Sequence, residues 1–188
     1  MLNFKEIIEI LYFKLSQKPI IYKCKTYRFK SINKNDFHNF IKRKNFDLVV
    51  SYNCNQIFNP KTLKKIKSDI VNFHPGLLPK YKGLFTNFYS LMSREKYIGI
   101  TFHEIEKKID SGKIIQKFKI KVDKNDTVFR LYKKIFLETK SHEFIYRSIL
   151  NYKKSSKYKV ISRDRYRYNS YPRLMDIIKF KFRKSFFN

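Results

Sequence analysis

Asn72 and His74 stand two residues apart in the run Asp69 to Gly76, DIVNFHPG. On an extended strand alternate residues share a face, so the two side chains point the same way. The carboxyl ends of strands are where α/β domains bind ligands. An amide supplies a fixed donor, and an imidazole supplies a donor or acceptor that titrates. Together they suit an oxyanion and a proton in transit. Asp110, in the tight turn Asp110-Ser111-Gly112, is placed to orient the imidazole or a water. All four glycines (76, 83, 99 and 112) fall in this region with Pro75 and Pro79. Glycine serves where the backbone turns left-handed or something approaches closely, so the clustering marks an elaborate loop system. Taken alone, His74 is better read as a satisfied loop histidine.

The elements that must carry these residues follow from periodicity. A helix with Leu2, Phe4, Ile7, Ile8, Leu11 and Leu15 on one face opens the chain, and short extended pieces follow at Ile20 to Tyr22 and Tyr27 to Ile32. A second helix, capped by Asn33 or Asn35, runs to about Lys44. FDLVVSY (46–52) has the apolar, β-branched character of a strand buried on both faces. A helix from Pro60 to Ile66 has proline in its first turn, and Asp69 to Phe73 is another buried strand. Leu84, Phe85, Phe88, Leu91 and Met92 mark the next helix. Strands at Ile98 to Ile105 and Lys113 to Val122 then flank the Asp110 turn. One long helix covers Val128 to Ile149, and a last amphipathic helix starts at Pro172. Strands alternating with helices argue an α/β domain with a mostly parallel sheet.

Composition narrows the classes. The 188-residue chain carries a formal charge of +28, with 43% hydrophobic residues, which excludes a disordered polyelectrolyte. The absence of Ala and Trp alongside abundant Lys, Asn, Ile, Phe and Tyr is the pattern of AT-rich codons. The basic residues are spread along the whole chain, so we read them mainly as solvated surface, with nonspecific nucleic-acid binding expected at low salt. No apolar run reaches the roughly 20 residues of a membrane span. Cys24 and Cys54 offer neither a disulfide framework nor a metal cluster, which fits a reducing cytoplasm. His103 is read as structural, His38 and His142 as solvent-facing or packed.

The stretch VNFHPGLLPKYKGLFTNFYSL, followed by GITFHEIEKKIDSGKIIQK, closely resembles the formyltransferase family. That family includes glycinamide ribonucleotide formyltransferase, methionyl-tRNA formyltransferase and the sugar N-formyltransferases. The matching residues are Asn72, His74, Pro75, Leu77, Leu78, Pro79, Tyr81, Gly83, Gly99, Thr101, His103, Asp110 and Gly112. The resemblance covers about Phe46 to Ile149. It implies a Rossmann-like formyltransferase fold and 10-formyltetrahydrofolate as co-substrate. It also implies that Asn72 and protonated His74 stabilise the oxyanion, while Asp110 and a water move protons from the amine. By the same resemblance, the pterin is held by main-chain groups of Ile105 to Asp110, with apolar support from Ile57 and Phe58.

Relatives usually begin with a strand, a glycine-containing turn, a helix and a second strand. Here the resemblance enters late, so the sheet is expected to lack its first strand or strands, exposing an edge suited to homodimerisation. Residues 1–152 form the expected catalytic domain, and 153–188 a basic extension with a helix. Thr86 stands where many relatives carry Pro. The run Lys80 to Phe85 and the tail around Tyr168 to Asp176 resemble sugar N-formyltransferases. The expected acceptor is therefore the amine of a nucleotide-linked amino sugar, with Lys80, Lys82, Gly83 and Phe85 as its binding residues. Methionyl-tRNA, glycinamide ribonucleotide, or a catalytically inactive role as a binding subunit are the alternatives.

Overall fold

The computed structural model describes residues 25–152 and 166–185. The opening helix, the extended piece at Ile20 to Tyr22 and the question of earlier strands lie outside those residues. Residues 31–172 form one compact unit, and the segments through Lys30 and from Arg173 onward form a second. In that second unit the described helix is Leu174–Ser185, whose Asp176 carboxylate accepts from the Arg173 N–H at 2.9 Å.

In the main unit, helix α1 (Asn35–Lys44) has Asp36 in its first turn and Lys42, Arg43 and Lys44 in its last, complementing the helix dipole. Asn45, in the left-handed conformation, ends it. Strand β1 (Leu48–Tyr52) follows, then α2 (Pro60–Lys65), where the Asn59 side chain caps the Thr62 N–H at 2.8 Å. Strand β2 (Asp69–His74) leads through the proline- and glycine-bearing loop to the two-residue β3 (Lys82–Gly83) and α3 (Thr86–Met92). Strands β4 (Tyr97–Glu104) and β5 (Ile114–Lys121) form a hairpin, followed by α4 (Val128–Phe136) and α5 (Thr139–Leu150). A short β6 (Tyr168–Asn169) pairs in parallel with β3.

The α/β architecture is the expected one. The four-stranded sheet has the order β1-β2-β4-β5. Only β1–β2 is parallel; β2–β4 and β4–β5 are antiparallel. The expected mostly parallel sheet is thus met at β1–β2 and gives way further along. For β1–β2 and β4–β5 the physical reason is the connections: α2 crosses between the parallel pair, whereas the loop 105–113 between β4 and β5 carries no helix and is shorter than a parallel crossover needs.

Two apolar clusters sandwich the sheet. Val71, Phe73, Ile98, Ile100 and Phe102 pack against Leu131, Ile135 and Phe144 of α4 and α5. Phe73 and Phe102 are register partners whose rings stack at 4.4 Å. On the opposite face Ile70 joins Ile41, Phe58 and Ile66. Alternation along β2 therefore puts Val71 and Phe73 in one core and leaves Asn72 and His74 on the other face.

Three sequence expectations are corrected. β1 is half-buried rather than buried on both faces, because it has one strand neighbour among the described residues. Tyr27 to Ile32 forms no strand; the Ile32 N–H is taken by the Gln56 side chain at 3.0 Å. The long helix is broken at Leu137–Glu138. There the Ser141 hydroxyl donates to the Lys134 carbonyl at 2.7 Å and His142 Nε2 to the Phe136 carbonyl at 2.7 Å. These bonds satisfy carbonyls that a helix end leaves open.

Candidate active site

Strands β2 and β4 bring four polar side chains together. Their register sets Asn72 opposite His103 and His74 opposite Thr101. The His103 Nδ1–H donates to the Glu104 carbonyl at 2.7 Å, so Nε2 is the acceptor in the neutral ring. The Asn72 amide nitrogen, 3.2 Å away, donates to it. That assigns the amide orientation and leaves the second Asn72 N–H as donor capacity. Burial first, then repulsion from His74, push the His103 pKa from 6.5 to about 4, against the pull of Asp110 and the Glu104 carbonyl. His103 is therefore a neutral ring at ordinary pH. A register shift between Phe102 and His103 sets its aim, in keeping with bulges beside functional sites.

His74 is 3% exposed. Its Nε2 lies 2.6 Å from the Tyr81 carbonyl and must carry the proton, since a carbonyl only accepts. Its Nδ1 is 3.6 Å from Asp110 Oδ1, which also lies 3.9 Å from His103 Nε2. One carboxylate oxygen thus stands between two imidazoles. The other, Oδ2, accepts from the Gly83 N–H at 2.7 Å. Asp110 itself has a positive φ of 50°, a conformation Asp tolerates better than most side chains.

The loop after His74 is pinned by Thr101, whose hydroxyl donates to the Gly76 carbonyl at 2.6 Å and accepts from the Leu78 N–H at 3.0 Å. Thr86 donates to the Pro75 carbonyl. A Cβ on Gly76 would lie 2.7 Å from the Tyr81 carbonyl and 2.8 Å from His74 Nε2, so glycine is what permits that imidazole hydrogen bond.

Asn72, His74 and Asp110 come together as the sequence spacing anticipates. Phe58 is buried, with Ile105 packed against its cluster, while Ile57 is exposed. Gly83, with φ of 88°, holds Asp110, and a side chain there would strike the Asn169 carbonyl. Phe85 is half-exposed, its ring 5.3 Å from Tyr171. The two lysines of the loop part company. Lys80 pairs with Glu95 at 2.5 Å, and Tyr81 donates to the same carboxylate at 2.8 Å. Although burial pushes the Glu95 pKa up, those hydrogen bonds hold it low. Lys82 is 6% exposed and donates to the Ser111 hydroxyl at 2.9 Å.

Sequence reasoning missed two contributors. His103 orients Asn72, a role signalled by the Thr101-x-His103 spacing that mirrors Asn72-x-His74. Tyr168 and Asn169 return to the site through β3–β6, where the Asn169 amide donates to the Lys82 carbonyl at 3.1 Å; a two-residue strand carries no periodic signal. Among the described residues no group of His, Cys, Asp and Glu could hold a metal ion, and no helix is long and apolar enough to cross a membrane.

A family model described as formyl transferase matches residues 7–149. The chain is 32% identical over 127 residues to the bifunctional polymyxin resistance protein ArnA of Wigglesworthia glossinidia brevipalpis, covering 68% of this chain and 19% of that protein. It is 29% identical over 100 residues to GDP-perosamine N-formyltransferase of Brucella melitensis biotype 1, covering 53% and 39%. Against methionyl-tRNA formyltransferase of Enterococcus faecalis the identity is 37% over 89 residues, covering 47% and 28%. The chain thus spans less than half the length of each of these three relatives. The X-ray structure of a sugar N-formyltransferase from a Shewanella species superposes with a TM-score of 0.60 at 22% identity, over 79% of this chain and 64% of that one. That likeness bears on the fold, which is the Rossmann-like formyltransferase fold.

Proposed function

The chain belongs to the formyl transferase family, and from that premise we propose that it transfers a formyl group from 10-formyltetrahydrofolate to the primary amine of a nucleotide-linked amino sugar. The observation that carries the proposal is the convergence of Asn72, His74 and Asp110, with Asp110 Oδ1 3.6 Å from the His74 ring and the Asn72 amide oriented by His103 at 3.2 Å.

When bound, the folate supplies a formyl carbon open to attack by the amine. The residues present fit such a donor. Phe58 and Ile105 share an apolar cluster next to the strand end, and the exposed Ile57 adjoins it in sequence. Main-chain groups of residues 105–110 would hold the pterin. Attack on a formyl carbon places negative charge on its oxygen. The second Asn72 N–H and the His74 Nε2–H are the donors for that oxygen, the latter exchanging its bond to the Tyr81 carbonyl. The Asn72 donor, already held by His103, stabilises developing charge with little reorganisation. Asp110, fixed by the Gly83 N–H, keeps the imidazole oriented and receives the proton leaving the amine, directly or through a water. As the oxyanion collapses the bond from the formyl carbon to N10 breaks, and that proton passes to N10 of the departing tetrahydrofolate.

The amino-sugar acceptor is supported by the match to GDP-perosamine N-formyltransferase and by the return of Tyr168 and Asn169 to Lys82 and Gly83. The identity to a methionyl-tRNA formyltransferase keeps that acceptor as the second reading. Incubating the purified chain with 10-formyltetrahydrofolate and a panel of amino-sugar nucleotides, glycinamide ribonucleotide and methionyl-tRNA, read by mass spectrometry, decides among them. A formyl mass on an amino-sugar nucleotide is the expected result; formylation of methionyl-tRNA alone would overturn it.

A further inference from the structure

The backbone around the two-residue strand β3 touches both His74 and Asp110. The Tyr81 carbonyl, just before the strand, accepts from His74 Nε2 at 2.6 Å, and the Gly83 N–H donates to Asp110 Oδ2 at 2.7 Å. Lys82 is the extended residue between those two groups. Along an extended chain the carbonyl before a residue and the N–H after it point to one edge, while its own N–H and carbonyl point to the other. One edge of β3 therefore serves His74 and Asp110, which stand 3.6 Å apart. A shift of this strand moves the partners of both at once.

The other edge belongs to β6. The Asn169 amide reaches across 87 residues of sequence to donate to the Lys82 carbonyl at 3.1 Å. The Leu84 N–H donates to the Asn169 carbonyl at 2.9 Å. The near end of β3 is held by a side chain instead. Tyr81 is 5% exposed, and its hydroxyl donates to Glu95 at 2.8 Å, with Ser93 hydrogen-bonded to the same side chain. Glu95 is fixed between α3 and β4, its N–H donating to the Ser90 carbonyl at 3.0 Å. A strand of two residues makes too few ladder bonds to stay in place alone, so these side chains decide where it sits.

We propose that Glu95 and Asn169 are positioning residues for the transfer: Glu95 through Tyr81, and Asn169 through Lys82, clamp the backbone that sets His74 against Asp110. The inference rests on reading His74 and Asp110 as reacting groups. Neither clamp touches them, so each acts on the rate through geometry.

Steady-state kinetics of the full chain, with nitrogen NMR of the His74 ring and the Gly83 amide, test this. Misplacing a reacting group by about 1 Å costs on the order of 10² in rate, so Glu95→Leu and Asn169→Ala should each lower kcat about tenfold or more. Both KM values should stay within about twofold, since the loss falls on the transfer step. The His74 and Gly83 signals should move in the same variants. Glu95→Gln keeps an oxygen that accepts from Tyr81, and should restore most of the rate. Tyr81→Phe removes the same bond from the other side, so adding it to Glu95→Leu should cost little more; it carries the test if Glu95→Leu fails to unfold cooperatively. Wild-type kcat in Glu95→Leu and Asn169→Ala, a loss confined to KM, or a Glu95→Gln as slow as Glu95→Leu would overturn the clamps. The two readings fail separately. A wild type that transfers no formyl group, with His74 and Gly83 signals that still move in the variants, sinks the function and spares the clamps. An active wild type whose variants keep both rate and signals does the reverse.

Discussion

The His74 imidazole donates through Nε2 to the carbonyl of Tyr81 at 2.6 Å, across the space that a side chain on Gly76 would fill. Gly76→Ala therefore pushes directly on this bond. Overpacking of this kind costs about 1–3 kcal/mol. We expect a loss of stability in that range by urea denaturation and a lower kcat with little change in the folate KM. Wild-type turnover in Gly76→Ala would show that the His74–Tyr81 bond does not matter to the site.

Thr101 is fully buried and joins two backbone groups of the same loop, the Gly76 carbonyl and the Leu78 N–H. Thr101→Val keeps the shape and removes both partners. Leaving a buried polar group unsatisfied costs about 1–3 kcal/mol, so a destabilisation of at least that size is expected in equilibrium unfolding. A neutral result would mean that the loop finds other partners.

His103 gives a pH signature. Its folded pKa of about 4 lies below the unfolded value of 6.5. Above 6.5 neither state binds the proton. As pH falls from 6.5 toward 4 the unfolded chain takes up a proton that the folded chain refuses, so this share of stability is lost on acidification. NMR should place the His103 midpoint near 4. His103→Gln should flatten the decline in unfolding free energy between pH 7 and pH 4 relative to wild type. A midpoint near 6.5 would contradict the neutral ring that orients Asn72.

The alternation of Asn72 and His74 on β2, and the turn bearing Asp110, were legible because strand periodicity is local. The Asn72–His103 pairing was not: it depends on the register of two strands 31 residues apart. Lys80 and Lys82 look equivalent in sequence, yet Glu95 claims the first and Ser111 the second. The break between α4 and α5 was hidden because apolar spacing continues through it, while side-chain bonds from Ser141 and His142 end the helix. Parallel and antiparallel pairing leave the same apolar runs, so the mixed sheet could not be read from them.

The +28 charge bears on substrate choice. A diphosphate engages a few lysines, whereas a tRNA engages many phosphates, with a log–log salt slope of about −0.9 for each one neutralised on a B-form duplex. The KM for the true acceptor should rise only shallowly between low and physiological salt. A steep collapse of rate with salt would favour the tRNA reading.

The most direct test is the rate of formyl transfer from 10-formyltetrahydrofolate to an amino-sugar nucleotide, measured for wild type, Asn72→Ala, His74→Ala and Asp110→Asn. Loss of an oxyanion donor or proton carrier costs on the order of 10²–10³ in turnover, and each variant should fall by that much while unfolding as cooperatively as wild type. An active wild type whose three variants keep near-normal rates would contradict the assigned site.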